Sequence, residues 1–523
     1  MSDFLLKFSN LQTYTVQDRN NINQKILQYA IIFLPPALIS GPFLPDLIVV
    51  ISGIYFIAFL WKSNQIHFIK NDLSKIFLVF YFYIVVNSFF ADDIIMSLKN
   101  SFFYIRFLIL IFLIKYLIIR EKSFLKFFFY SSLFSFSILV VDGLIEYHLG
   151  FHWLFEKSSY PEFLSSKRIS SLFDEEYIMG GYLLKFYPII LSLILIIFNK
   201  DNKLYILISI ITFLALIGIL ISGERTSLFL FLLIIITYFL FLGLIQNIKK
   251  RILIVFSTLT LSALIVLFNQ QLSNRLIFHT LNSFLSDASF TFDFENSEER
   301  LKDSIELYLG HSNIDYTKDV VIIDNDDDKG PFISEWNLDV PKPNKFQIIE
   351  AKKIIKKKLN EKNKIIYNFE QLIFKFNYIL SRKDKKLVYF STEHQNHALI
   401  GIHMFKENPI FGHGLKMFRV KCSEKKYYLG ERSCTTHPHN TLITFISELG
   451  IIGLLFYLSI VYLILKTMYK KNDIKKIIPI SLLIYILPIV PSGYFFNNHA
   501  SIMFYIGVGL YLGINKIKFD EIN

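Results

Sequence analysis

Charge is scarce in this 523-residue sequence: Asp, Glu, Lys and Arg make up only 19%, against 53% hydrophobic and 17% aromatic residues. Soluble domains carry about 25% charge, so the deficit excludes a soluble globular enzyme and an intrinsically disordered chain. Cysteine is nearly missing, with only Cys422 and Cys434, which excludes a disulfide-rich secreted scaffold. No set of cysteines and histidines has zinc spacing, and neither a metal nor a cofactor is expected. Internal repeats and low-complexity segments are lacking. So is a basic stripe with interleaved aromatics beside a nucleic-acid fold, and the net charge of +12 is therefore not assigned to nucleic acid. Met1–Gln24 is polar and mixed, so no cleavable signal is expected there.

What is present is a series of apolar runs, many near the length that spans a bilayer as helix. Twelve are read, at roughly 26–42, 44–61, 74–90, 101–119, 125–146, 179–198, 204–221, 227–246, 252–269, 440–465, 476–491 and 499–515. The expected fold class is an all-α membrane protein with about twelve transmembrane helices and one long loop before the tenth. Residues 1–269 hold helices 1–9, 270–438 the loop with an inserted segment 290–390, and 439–523 helices 10–12. Lysine and arginine concentrate in alternate loops: Lys62 and Lys70; Arg120, Lys122 and Lys126; Lys200 and Lys203; Lys249, Lys250 and Arg251; Lys466, Lys470 and Lys471. Gly41–Pro45 has none and Ala91–Asn100 only Lys99. By the positive-inside rule both termini are cytoplasmic and the long loop faces out, since long loops translocate regardless of their charge.

Within the loop, Asp324–Gly330 is acidic but lacks the glutamate that closes a calcium-binding EF-hand. Residues 346–380 read as an amphipathic helix. Ile348, Ala351, Ile355, Leu359, Ile366, Phe369 and Ile373 form one stripe, and lysines cover the other face. It is either a solvated helix on the loop's own core or one lying on an anionic membrane surface.

Polar groups at membrane depth are costly and point to function. His437-Pro438-His439-Asn440 precedes Glu448, Gly450 and Gly453 in the tenth span. Pro438 favours a turn and Asn440 or Thr441 can cap the helix, which places His439 at the outer mouth. The partial positive charge of the helix start would keep its imidazole neutral, able to accept a proton, and would attract phosphate. Gly450 and Gly453 would permit close helix packing. Glu448 would orient a partner or pair with a buried donor. Ser222–Ser227 breaks two spans at the outer face with Arg225, and Lys167–Asp174 offers Arg168 there; the fourth span adds Arg106 near its outer end. A guanidinium grips phosphate bidentately. Singly, each arginine has a plain reading as a hairpin mark or a snorkelling side chain. Together with His439 they suggest a site for an anionic, membrane-embedded substrate.

These residues resemble the O-antigen ligase family, whose superfamily also contains the O-antigen polymerases. His439-Asn440, nine residues, Gly450, two residues, Gly453 is similar to its signature. Asn408–Gly414 is similar to its Asn-Pro-Leu-Phe-Gly-x-Gly segment. Ser222–Ser227 is similar to its Ser-Arg-small junction, here with Glu224 before Arg225. Arg168–Gly181 resembles its outer arginine segment, and Asp142–Tyr147 its fifth-span ending. The likeness runs from about 100 to 460; the insert 290–390 has no counterpart.

The resemblance implies a metal-independent, inverting glycosyltransferase in the bacterial inner membrane, with the large loop periplasmic. Its substrates would be an undecaprenyl diphosphate-linked glycan and an acceptor hydroxyl on lipid A–core or on a growing glycan. In that scheme His439 is the general base, Arg225, Arg168 and Arg106 hold the diphosphate, and Asn440, Glu448 and His437 support. Cys422 and Cys434 fall on the oxidising side and are expected to form a disulfide before His437, the alternative being two free thiols. A polymerase is the second reading. A twelve-span transporter is a third, disfavoured by charges that gather at one face and by the lack of repeated halves.

Overall fold

A computed structural model describes residues 22–516 apart from 71, 122, 150–167, 174–175, 199–203, 242–247, 279, 281–297, 311–313, 317, 324–331, 345–346, 355–389, 431, 469–476 and 488–489. Lys167, the acidic turn and most of the lysine-rich helix 346–380 lie outside the described residues. The chain divides into two compact units: Met1–Ser262 with Val388–Asn523, and Ala263–Leu387.

The first unit is helical. In order come α1 (Leu34–Ile39), α2 (Phe43–Lys62), α3 (Asp72–Ser88), α4 (Ile94–Phe102), α5 (Ile105–Arg120), α6 (Phe124–Leu149), α7 (Met179–Ile197), α8 (Leu204–Ser222), α9 (Arg225–Ile236) and α10 (Ile248–Phe268), whose last residues, after Ser262, belong to the second unit. Among the described residues, seven helical stretches are long and apolar enough to cross a membrane: α2, Ile94–Arg120, α6, α7, α8, α10 and Thr441–Lys466. Leu73–Ser88, Arg225–Phe239 and Asn498–Ile514 are shorter apolar helices. This is an all-α membrane architecture. α7 is buried along nearly its whole length. Outer helices instead expose Ile51, Ile54, Val79, Phe82 and Phe256, as side chains bathed in lipid do.

Two expected spans are interrupted. The first breaks at Phe33, ahead of Pro35-Pro36. The eleventh ends as a seven-residue helix, Ile477–Leu483, and turns before Pro488 and Pro491. Proline has no N–H to continue an α-helical ladder.

The second unit departs from an all-helical pattern. α11 (Glu298–Leu309) accompanies an antiparallel hairpin, β1 (Val320–Ile323) and β2 (Phe332–Trp336). β1 is Val-Val-Ile-Ile, a β-branched run that suits a pleated strand. Leu301, Ile305 and Val320 form its core, with Trp336 and Ile348 against them.

Back in the first unit follow α12 (Thr392–Glu407), α13 (Thr441–Met468), α14 (Ile477–Leu483) and α15 (Asn498–Ile514). Alternating helix direction collects one set of ends: the starts of α2, α5, α7, α9, α13 and α15 and the ends of α3, α6 and α8. Polar contacts tie these ends together. Arg106 at the start of α5 meets Asp46 of α2 at 3.0 Å and Asn498 of α15 at 2.8 Å. Tyr83 of α3 donates to the Leu449 carbonyl at 2.6 Å. Arg106, Arg168, Arg225, His437 and His439 stand at this end.

Candidate active site

The site begins with a loop laid on a kink. α13 is interrupted at Gly450 (φ 63°, ψ −155°), a conformation nearly restricted to glycine. Asn408–Gly414 docks there, backbone on backbone. Ile451 N donates to Pro409 O (2.8 Å), His413 N to Ser447 O (3.2 Å) and Gly414 N to Glu448 O (2.8 Å). A Cβ at Gly450 would lie 2.3 Å from the Ile410 carbonyl oxygen, and one at Gly412 2.4 Å from Glu448 C. Gly450 therefore serves this docking, not the helix–helix packing expected from the sequence. Glu448, fully buried, accepts from Tyr494 Oη at 2.6 Å and from Phe418 N at 3.4 Å. Tyr494 Oη in turn accepts from Lys416 N at 3.0 Å. Glu448 is thus a positioning residue that holds the chain after the loop.

Two segments then bring four imidazoles together. Ser391 caps α12, accepting from His394 N, and its hydroxyl meets His394 Nδ1 at 2.7 Å. His394 and His397, three apart, share one face of that helix. On the other side, Asn440 caps α13 by accepting from Ile443 N at 3.2 Å. His439 just before it has a left-handed backbone (φ 53°), and its carbonyl accepts from Ser492 N at 2.8 Å. Cys422 and Cys434 form a disulfide that closes the segment ahead of His437. Ring centroids lie 4.1 Å apart for His437 and His439, and 5.3 Å apart for His439 with each of His394 and His397.

All four rings are held in the neutral form. Burial, then the neighbouring imidazoles, push His439 down to about 2 from an ordinary 6.5. Burial first brings His437 and His394 down to about 4; His397 and then Arg225 add to this at His394. The sequence argument rested on the helix start; in the structure burial and crowding lead. His397 Nε2 donates to the Arg432 carbonyl at 3.0 Å, which leaves Nδ1 as the acceptor. That nitrogen is buried and meets no hydrogen-bond partner among the described residues. Neutral imidazoles offer acceptor nitrogens to a hydroxyl, and the burial that keeps them neutral also makes them weak bases, so full proton transfer has to be drawn by a hydroxyl already losing its proton to bond formation.

Arginine borders the cluster. Arg225 opens α9 and lies within electrostatic reach of both His394 and Arg168. Arg168 donates to Tyr177 O at 2.9 Å and stacks 5.0 Å over the Tyr177 ring. Its segment is pinned to α6: Ser171 Oγ donates to Asp142 at 2.6 Å and Ser171 N to Glu146 at 2.7 Å. Glu224 accepts from Gly180 N (2.9 Å) and Ser227 Oγ (2.8 Å), fastening the start of α7 to that of α9. Two guanidiniums beside neutral imidazoles suit a polyanion next to a reacting hydroxyl.

Arg106 stands apart from this group. It pairs with Asp46 and Asn498 and lines a cavity of about 820 Å³ whose walls include none of Arg168, Arg225 and the four histidines. The sequence reading missed His394 and His397. The signal was there: a His-x-x-His pair on a helix that runs directly into Asn408–Gly414. Among the described residues no group of three or more His, Cys, Asp or Glu is arranged to hold a metal ion.

Residues 396–458 match the family model described as O-antigen ligase. The matched segment contains His397, the docked loop, the disulfide, His437, His439 and the Gly450 kink. Residues 307–358, in the second unit, match a model described as XkdW protein. No curated protein matches the chain.

Proposed function

We propose that this chain, whose residues 396–458 carry the O-antigen ligase domain, transfers a glycan from undecaprenyl diphosphate to an acceptor hydroxyl, with lipid A–core as acceptor. The match supports the O-antigen ligase superfamily, and with it ligase- or polymerase-type glycosyl transfer between a lipid-linked glycan and a lipid acceptor. The finer assignment rests on one observation, four neutral imidazoles gathered beside Arg225 at one end of a membrane bundle. In this reading that end faces the periplasm and both termini the cytoplasm, as the lysine-rich loops require.

His439 takes the acceptor hydroxyl proton as the new C–O bond forms at the sugar carbon. The bond from that carbon to the diphosphate oxygen breaks, and Arg225 and Arg168 stabilise the charge left on the diphosphate. A single displacement inverts the configuration. Crowding by His437, His394 and His397 disfavours an imidazolium standing permanently at 439, so the base starts neutral.

The test uses a strain lacking this gene, complemented with wild type or His439→Ala, and scored by its surface polysaccharide. Lipid A–core without O-chain, with polymer held on the lipid carrier, identifies the ligase; core bearing one repeat unit identifies a polymerase. His439→Ala is expected to lower transfer about 10²–10⁴-fold. A normal ladder in the deletion strain would dismiss both.

A further inference from the structure

The cavity beside Arg106 is lined by four cations, Lys99, Arg106, Lys416 and Arg419, and by two carboxylates, Asp46 and Asp93. Both carboxylates are committed: Asp46 to Arg106 at 3.0 Å, Asp93 to the cap of α4 through Met96 N at 2.8 Å. Lys99, Lys416 and Arg419 have no ion pair among the described residues. Burial lowers the Lys416 ammonium, and Arg419 and Lys99 lower it further against Glu448. Like charges crowded into one concavity call for an anion. The backbone is built to keep them there. Lys416 adopts a left-handed conformation (φ 65°), unusual for a lysine, and is held in it by its N–H bond to Tyr494, which Glu448 anchors.

The mouth points to lipid. Ile95 and Phe103 line the cavity yet are 80% and 51% exposed. Phe43 and Phe90, close in sequence to Asp46 and Asp93, are 75% and 80% exposed. Exposed apolar and aromatic side chains at the ends of membrane helices are at home among head groups and acyl chains. A soluble anion would gain nothing from them.

We propose that this cavity holds the phosphate head group of a membrane lipid, as an anion subsite separate from Arg168 and Arg225. That this lipid is the acceptor substrate rests on the transferase reading; that the cavity binds a lipid phosphate does not. Arg419, which lines the cavity, lies within electrostatic reach of His437, so a head group held there is coupled to the imidazole cluster through Arg419. Two anionic lipids would then approach the histidines, one from the Arg225 side and one from the Arg419 side.

The test is native mass spectrometry of the full chain in detergent, titrated with dioleoyl phosphatidic acid, dioleoyl phosphatidylcholine and inorganic phosphate. Wild type is expected to retain two phosphatidic acid molecules in preference to phosphatidylcholine. Lys416→Gln/Arg419→Gln removes one and Arg168→Gln/Arg225→Gln the other, each lost cation weakening binding roughly tenfold or more. Lys99→Gln alters an exposed side chain, leaves the fold intact, and weakens the same lipid severalfold. Two lipids retained by both Lys416→Gln/Arg419→Gln and Lys99→Gln would overturn the proposal. Inorganic phosphate displacing the second lipid at equal concentration would make this a free-phosphate site and overturn the lipid assignment. Intact binding changes in variants whose glycan transfer is normal would sink only the acceptor role.

Discussion

Alanine at Gly450 tests the docking of loop on helix. Two costs arise. The backbone at φ 63°, ψ −155° lies in a region open almost only to glycine, about 1–3 kcal/mol for any other residue. The added Cβ would also stand 2.3 Å from Ile410 O, 2.5 Å from Ile410 C and 2.7 Å from Gly412 N. All three are backbone atoms, so no side chain can swing aside and the loop must lift. Lifting it breaks three backbone hydrogen bonds, each about 1 kcal/mol. Gly450→Ala should therefore cost about 4–6 kcal/mol, at the upper end for point mutations. Two other glycines separate the causes. Gly430 has φ 117° with nothing within 4 Å of a built Cβ, so Gly430→Ala carries backbone strain alone, about 1–2 kcal/mol. Gly493 has neither strain nor neighbours, and Gly493→Ala should change stability by less than about 0.5 kcal/mol. Thermal unfolding of the three purified variants in one detergent gives the order. If Gly450→Ala unfolds with Gly430→Ala, the loop does not press on the kink and the reasoning is refuted.

Other outcomes follow from the same geometry. Because His439, His437 and His394 titrate well below 6.5 in the fold, the unfolded chain takes up protons first as pH falls. Stability contributed by the neutral cluster is present above pH 6.5 and is lost below it toward the folded values. Within the range where the fold persists, kcat/KM for transfer should stay flat from pH 8 to about 5; a break near 6.5 would mean solvated, ordinary imidazoles. Replacing Cys422 and Cys434 by serine should cost about 3 kcal/mol by opening a short loop. The wild type should resist alkylation until reduced, as read by intact mass.

The helices were legible because bilayer length and low charge are properties of each segment alone. Pro35-Pro36 and Pro488 were legible too, but run length outweighed them, and the expected spans at 26–42 and 476–491 come out broken. His439, Asn440, Arg225 and Arg168 could be marked because each interrupts or borders an apolar run. Their convergence could not, since nothing local says that α12 lies beside the start of α13. His394 and His397 acquire meaning only through that contact. Arg106 looked equivalent to the other arginines because it shares their depth; its partners Asp46 and Asn498 are 60 residues before it and 392 after. The role of Glu448 was open for a similar reason: its donors, Tyr494 and Phe418, lie 46 residues after it and 30 before it.

The loop on α13 is held almost wholly through main-chain atoms, with Asn87 adding a bond to the Phe411 carbonyl at 2.7 Å. The side chains of Ile410 and Phe411 are meanwhile 55% and 53% exposed. Adhesion and identity are thereby decoupled at this place. The residues at 410 and 411 are free to drift without disturbing the kink or the histidines it orients, so the rim of the site can be re-tailored, by selection or by an engineer, while its machinery stays in register.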